Sequence, residues 1–404
     1  MTATTHGTLL VAVTCALGVA ACSGDSSTTT TPTPVATPFV SVSNGVLHTC
    51  ALTNDGSGFC WGWGERGQLG DGNTKDRSSP VAVIGGLNFK TLEAGGGHTC
   101  GLTTSDETFC WGLNQSGQLG IGTTVNISQP TKISGTVTFT QISAGATETC
   151  GLTVSGSAFC WGFNGSGQLG DGTTTDKQTP VAVLGGLKFA SISAGNFHTC
   201  ALTDAGEAYC WGRNTSGQLG DGTNTNTTEP VPVAGGVVFK KIETGLQHTC
   251  GIAINGDAYC WGKNSFGQLG DGTTGGALLP KRILAGMSFV DISAGGSYSC
   301  AVTNTGAGWC WGINQLGELG SNAGVVCTDP SDPTGATQFA CSPQPVEVDG
   351  GLVLVAISVN TQHTCGLTQS DGVWCWGLGD RGQLGNGKSG NVVSFVPLRV
   401  LGQS

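Results

Sequence analysis

The stretch HTCALTDAGEAYCWGRNTSGQLG, His198 to Gly220, decides how the rest of the chain is read. It holds two short apolar pieces, Cys200-Ala201-Leu202 and Ala208-Tyr209-Cys210-Trp211, on either side of a turn centred on Ala205-Gly206. Short apolar runs bounded by Gly, Asp and Asn are the chemistry of strands and tight turns. A third piece, Phe189-Ala190-Ser191-Ile192, precedes the stretch and leads into Ala194-Gly195, and a fourth, Pro230-Val231-Pro232-Val233, follows it. The same order recurs every 50 residues, with His-Thr-Cys or its equivalent at 48–50, 98–100, 148–150, 198–200, 248–250, 298–300 and 363–365. Repeats of this length with four strands each are propeller blades. The sequence therefore predicts an all-β, seven-bladed β-propeller with four-stranded blades over residues 39–404, whose two ends meet as the ring closes.

Composition agrees with that reading. Charged residues are 10% of the chain, against about 25% in an average globular protein, while Gly supplies 70 of 404 positions and Met only 2. Polarity comes from Ser, Thr, Asn and the backbone, so almost no helix is expected.

Three motifs recur in register: Ala-Gly ahead of the His position, Cys-Trp-Gly, and Gly-x-Asn-x-x-Gly-Gln-Leu-Gly. Together they resemble the regulator-of-chromosome-condensation repeat across residues 39–401, and the resemblance implies the same seven-bladed fold. Eukaryotic members of that family bind chromatin and exchange nucleotide on a small GTPase. A net charge of −10 opposes nucleic-acid affinity, so no nucleic-acid partner is expected. Another relative is a secreted bacterial propeller that inhibits β-lactamases, which makes inhibition of an extracellular enzyme one alternative. A plant ultraviolet-B photoreceptor shares the fold, but the extra Trp63, Trp309 and Trp374 have no cluster spacing, and light sensing is not expected.

The cysteines describe the compartment. Besides Cys15 and Cys22 there are sixteen, fourteen of them as seven pairs spaced by ten. Even numbers at fixed spacing in an exported chain argue for disulfides. A hairpin between Cys200 and Cys210 places the two opposite each other on adjacent antiparallel strands. The expected bridges are Cys50–Cys60, Cys100–Cys110, Cys150–Cys160, Cys200–Cys210, Cys250–Cys260, Cys300–Cys310 and Cys365–Cys375. Closing an eleven-residue loop stabilises by about 2.7 kcal/mol in the chain-entropy model. Cys327 and Cys341 lie in the one long departure from the period, an insertion at 324–344 in repeat six, and are expected to close a surface loop of their own. A zinc site built from His198, Cys200 and Cys210 is the competing reading, and it fails on substitution: the His position is Glu148 in repeat three and Tyr298 in repeat six while both cysteines remain. No metal and no cofactor are expected.

Residues 9–21 are an apolar run too short to cross a bilayer, and read as the core of a signal peptide. Val19-Ala20-Ala21-Cys22 resembles a bacterial lipobox, which implies acylation of Cys22. Residues 1–8 depart from the usual basic leader in carrying no Lys or Arg. Simple secretion with cleavage near Ala21 is the alternative, and export follows either way. Residues 22–38 are Ser-, Thr- and Pro-rich, a composition that forms a tether. The expected setting is a bacterial cell envelope, with the membrane touched through the N-terminal lipid only and the propeller monomeric.

An active site needs one asymmetric arrangement, whereas a ring of identical residues supplies seven equal ones. Trp61, Trp111, Trp161, Trp211, Trp261, Trp311 and Trp376 accordingly read as inter-blade core, and His48, His98, His198, His248 and His363 as groups bonded to backbone. Asp71, Asp171, Asp221 and Asp271 sit in Asp-Gly turns that account for them, with calcium a weaker reading because each site offers one carboxylate. No Gly-x-Ser-x-Gly elbow, phosphate loop or His-Glu-x-x-His helix occurs. Catalysis is not expected; an envelope polysaccharide hydrolase or lyase is the enzymatic alternative. Function is sought where repeats differ: before each His position, as at Phe197, and after each Cys-Trp-Gly, at Trp63, Leu113, Phe163, Arg213, Lys263, Ile313 and Leu378. Aromatic residues and Arg dominate many interfaces. The reading is a scaffold binding a protein or glycan through Trp63, Phe163, Phe197, Arg213 and Lys263 together with Asp329 and Asp332 of the insertion, the second variable set being as open to burial between blades as to contact.

Overall fold

A computed structural model describes residues 38–283, 286–328, 334, 338–370 and 372–403. Cys22, Asp329 and Asp332 lie outside the described residues, as do the signal segment and all of the tether but Pro38.

In the first repeat the expected pieces form β1 (Phe39–Asn44), β2 (His48–Thr53), β3 (Gly58–Gly62) and β4 (Arg77–Ala82), joined antiparallel in that order. Six more blades follow: β5–β8 over 89–132, β9–β12 over 141–182, β13–β16 over 191–232, β17–β20 over 239–282, β21–β25 over 289–347 and β26–β29 over 354–399. Each blade draws its strands from one repeat, so no strand is exchanged at the closure. The sixth blade gains a fifth strand from the insertion, where β24 (Val325–Thr328) pairs with the lengthened β25 (Gln338–Glu347). No helix occurs among the described residues.

Register follows from the pleat. Cys50 faces Cys60 across β2 and β3 with Cα atoms 4.1 Å apart, and all seven repeat bridges have this arrangement. Cys327 bonds Cys341 within the insertion. Beside each bridge the repeat's Trp is fully buried and crosses to the preceding blade, where Trp111 Nε1 donates to the carbonyl of Gln68 at 3.0 Å. Gly70 allows this approach: it has φ +68°, and a Cβ there would lie 2.6 Å from Trp111 Nε1, which explains the glycine that ends each Gly-Gln-Leu-Gly.

The strands run alternately up and down, so the turn after β1 (45–47) and the long loop after β3 (63–76) open on one face, called upper here. The turn after β2 and the passage to the next blade lie on the lower face. Pro38 enters, and the chain after Arg399 leaves, on the lower face.

First strands line the axis, and their turns are tied into a circle on the upper side by Val46 N to Gly95 O, Gly96 N to Gly145 O, Ala146 N to Gly195 O, Asn196 N to Gly245 O, Leu246 N to Gly295 O and Gly296 N to Asn360 O. The seam between the seventh and first blades completes it with a side chain, Asn360 Nδ2 donating to Asn44 O at 2.9 Å. Around it, Asn44 Nδ2 donates to Ser358 O and Arg381 reaches Glu65 and Asp76. Asn360→Ala removes one such bond, and urea unfolding is expected to show a loss of about 1 kcal/mol; an unchanged midpoint would mean the seam does not rely on it.

Candidate interaction face

The five histidines are the first groups to test for chemistry, and the fold consumes them. His48 Nε2 lies 3.0 Å from Thr99 Oγ1 in the next blade, and Thr99 Oγ1 donates to Gln68 O at 2.7 Å. Since that hydroxyl's proton is spent on the carbonyl, the imidazole must be the donor. The same relay of imidazole, hydroxyl and carbonyl, joined by the Trp, is built from His98, His198, His248 and His363. The sequence-based expectation of backbone partners is therefore corrected: the partner is a Thr or Ser hydroxyl one blade on. Each Nδ1 is buried without a partner, so a second proton has nowhere to bond. Burial lowers the imidazole pKa to about 3 at His48, His198, His248 and His363, and to about 4 at His98. Such groups are poor bases and unreachable by a substrate.

The two substituted joints differ. Tyr298 OH donates to His363 O at 2.7 Å and so bridges onward by another route. Glu148 is fully buried, its Oε2 accepting from Thr147 N and Oγ1 at 3.3 Å while Oε1 has no partner. Burial pushes its pKa well above the usual carboxylate range.

The Asp-Gly turns bond to themselves, Asp171 Oδ1 accepting from Thr173 N at 3.0 Å. Three of them also hold a protein cation where calcium would sit: Arg77 on Asp71, Lys177 on Asp171 and Lys281 on Asp271. Among the described residues no group of three or more His, Cys, Asp or Glu could hold a metal ion.

The axial channel is the nearest thing to an acidic cleft. Glu93 and Glu243 face it among a ring of serines, and Lys241 pairs with Glu243 and Asp291. Burial in the channel wall, and then the charge of Glu243, raise Glu93 to about 7. The waist between them is about 110 Å³, and it adjoins a wider space of about 500 Å³ that Glu93, Lys241, Glu243 and Asp291 also line.

The variable residues do converge. The upper face carries Trp63, Leu113, Phe163, Arg213, Lys263, Ile313 and Leu378 at one radius, all half-buried, with Phe197 on the adjoining inner turn. Neither alternative left by the sequence holds alone, since all seven side chains are half-buried. A Cβ on Gly97 would touch both Leu113 and Trp63. Arg213 lies over the Phe197 ring at 5.5 Å, Lys263 over Phe266 at 5.9 Å and Arg66 over Trp63 at 6.0 Å. The insertion joins the same face: Phe339 packs on Phe266 with ring centroids 4.8 Å apart, and Ile313 pairs with Cys341. Arg66, Phe266 and Phe339 were missed by the sequence reading. Aligning position 66 would have found the first two, because that position is Ser in repeats two to four.

A family model described as an RCC1-like domain matches residues 2–239 and again 134–403. No curated protein matches the chain by sequence. Among solved structures it is similar to yeast RCC1 (Prp20) bound to Kap60, with 20% identity, 91% of this chain and 85% of that chain covered and a TM-score of 0.74. Prp20p from Saccharomyces cerevisiae, described with its binding properties to Gsp1p and histones, is 22% identical over 91% of this chain and 87% of that one, with a TM-score of 0.74. Human WBSCR16 is 20% identical over 84% of this chain and 89% of that one, with a TM-score of 0.73. At these identities the likeness is one of fold.

Proposed function

The chain belongs to the RCC1-like domain family, and from that premise we propose that it is an exported, lipid-anchored scaffold that binds a partner protein through its upper face. One observation carries the reading: the residues that break the repeat, Trp63, Phe163, Phe197, Arg213 and Lys263, gather on one face together with the only long insertion, while the residues that keep the repeat are spent on joints and turns. The yeast relative bound to Kap60, and described as binding Gsp1p and histones, supports protein binding as a use of this architecture. Two features support export, the eight disulfides between described cysteines and the lipobox-like Val19-Ala20-Ala21-Cys22.

Intact-mass measurement of the native protein from membranes, before and after reduction and alkylation, tests the setting. A mass for acylated Cys22 with eight disulfides is expected; free thiols on an uncleaved N-terminus would remove the extracellular premise. Pull-downs from envelope extract with the wild type and with Trp63→Ala/Phe163→Ala test the face, and a partner retained equally by both would place binding elsewhere.

A further inference from the structure

Resting on the reading that the upper face is the binding face, we propose that it takes an extended acidic peptide segment of the partner, with carboxylates meeting Arg66, Arg213 and Lys263 and apolar side chains meeting Trp63, Phe163 and Phe197. The argument starts from where the protein leaves its cations unneutralised. Of sixteen Lys and Arg, eight are in ion pairs with carboxylates. Among the described residues Arg66, Arg213 and Lys263 have no carboxylate at ion-pair distance; each is instead seated over an aromatic ring of its own blade. Arg213 spends only Nε, on Thr215 Oγ1 at 3.0 Å. That leaves the paired terminal nitrogens of its guanidinium for a bidentate carboxylate.

Seating a cation on a ring fixes its head before a ligand arrives and lowers the ordering cost of binding. On the same face Asp71, Asp171 and Asp271 are each neutralised by a cation, and Asp221 accepts from Asn214 and Thr223. The cations seated on aromatic rings are therefore the charged groups of this face placed beside its apolar residues, in a protein whose net charge is −10. A long polyanion such as a nucleic acid would feel that net charge along its whole length. A short acidic segment feels mainly the groups within a Debye length, about 8 Å at physiological ionic strength, so the cations it touches count for more than the net charge.

The full-length protein is titrated, by fluorescence anisotropy, with labelled peptides of equal length and equal tyrosine content whose remaining positions are Glu, Gln or Lys. The Glu peptide is expected to bind about tenfold or more tightly than the Gln peptide, and to lose that advantage at high salt. The triple variant R66Q/R213Q/K263Q, which alters none of the imidazole, hydroxyl and carbonyl joints, should abolish the preference while keeping the near-ultraviolet circular dichroism of the wild type. Equal binding of all peptides, lost in Trp63→Ala/Phe163→Ala, would overturn the acidic-segment proposal and leave the face as the binding site. Binding that neither variant alters would overturn both. Absence of binding by any peptide would overturn the proposal alone, since the pull-down tests the face independently.

Discussion

Replacing Glu148 by His is expected to stabilise the propeller by about 1–2 kcal/mol at pH 7.5, because a buried carboxyl is removed and one inter-blade hydrogen bond is gained, while an unpartnered Nδ1 takes the place of the unpartnered Oε1. The third joint is the only one built without an onward bond from the residue at the His position. Thr199 Oγ1 still donates to Gln168 O at 2.9 Å, as does Trp211 Nε1, but no imidazole reaches the hydroxyl. Room for the ring exists: a Cβ on Gly145 would lie 3.0 Å from Glu148 Cδ, just as one on Gly45 would meet the His48 ring. The gain should also depend on pH. Because the folded pKa of Glu148 is raised, its protonated form fits the native joint. The stability that goes with that proton is complete below about pH 4.3, the unfolded value, and is lost as pH rises through the folded pKa. Glu148→His should therefore outperform the wild type most at pH 7.5 and least near pH 5, with Glu148→Gln in between, since it removes the charge but does not build the bond. Urea unfolding at the two pH values reads this directly. A histidine variant no more stable than the glutamine one would show that the relay adds nothing to the joint.

What the sequence could and could not say follows from the same joints. Strand order, blade number and the repeat disulfides were legible, because a hairpin turn at Ala205-Gly206 dictates that Cys200 faces Cys210 and period dictates the rest. The glycine ending each Gly-Gln-Leu-Gly was legible as a turn but not as a seat for the next blade's Trp. Partners at a separation of about one repeat, such as His48 and Thr99, were not legible, since identical copies give no signal of which neighbour a side chain reaches. That is why the histidines were assigned to backbone, and why Glu148 appeared only as an argument against zinc. The binding face was legible in part. Position 63 stood out because seven repeats disagree there, whereas the pairing of Arg213 with Phe197, or of Phe266 with Phe339, depends on the tilt of turns and on where the insertion folds back.

The wild type is expected to lose stability gradually from pH 7 to about pH 4.5 and then to unfold steeply. Five buried histidines have folded pKa values of about 3 to 4, against about 6.5 unfolded. Their contribution is complete above the unfolded value and is lost as pH falls toward the folded one, since the unfolded chain takes protons that the native joints refuse. At pH 4.5 each histidine has given up about 2.7 kcal/mol, and five such losses rival the whole stability of a domain, about 5–15 kcal/mol. Carboxyls oppose this between neutral pH and 4.5. Glu318, raised to about 7 by burial, Glu93, raised to about 7, and Glu148 all favour the native state as they protonate. Below their unfolded values they have nothing more to add, while the histidines continue to lose, and the balance breaks there. Urea midpoints at intervals from pH 8 to 3, with the disulfides intact, should trace the shallow limb and the steep one. Glu148→His removes one compensating carboxyl and adds a sixth refusing imidazole, so the variant that is more stable at pH 7.5 should begin to lose stability at a higher pH than the wild type. A uniform slope across the range, or an acid transition unmoved by that substitution, would mean that the buried joints do not govern the acid limit.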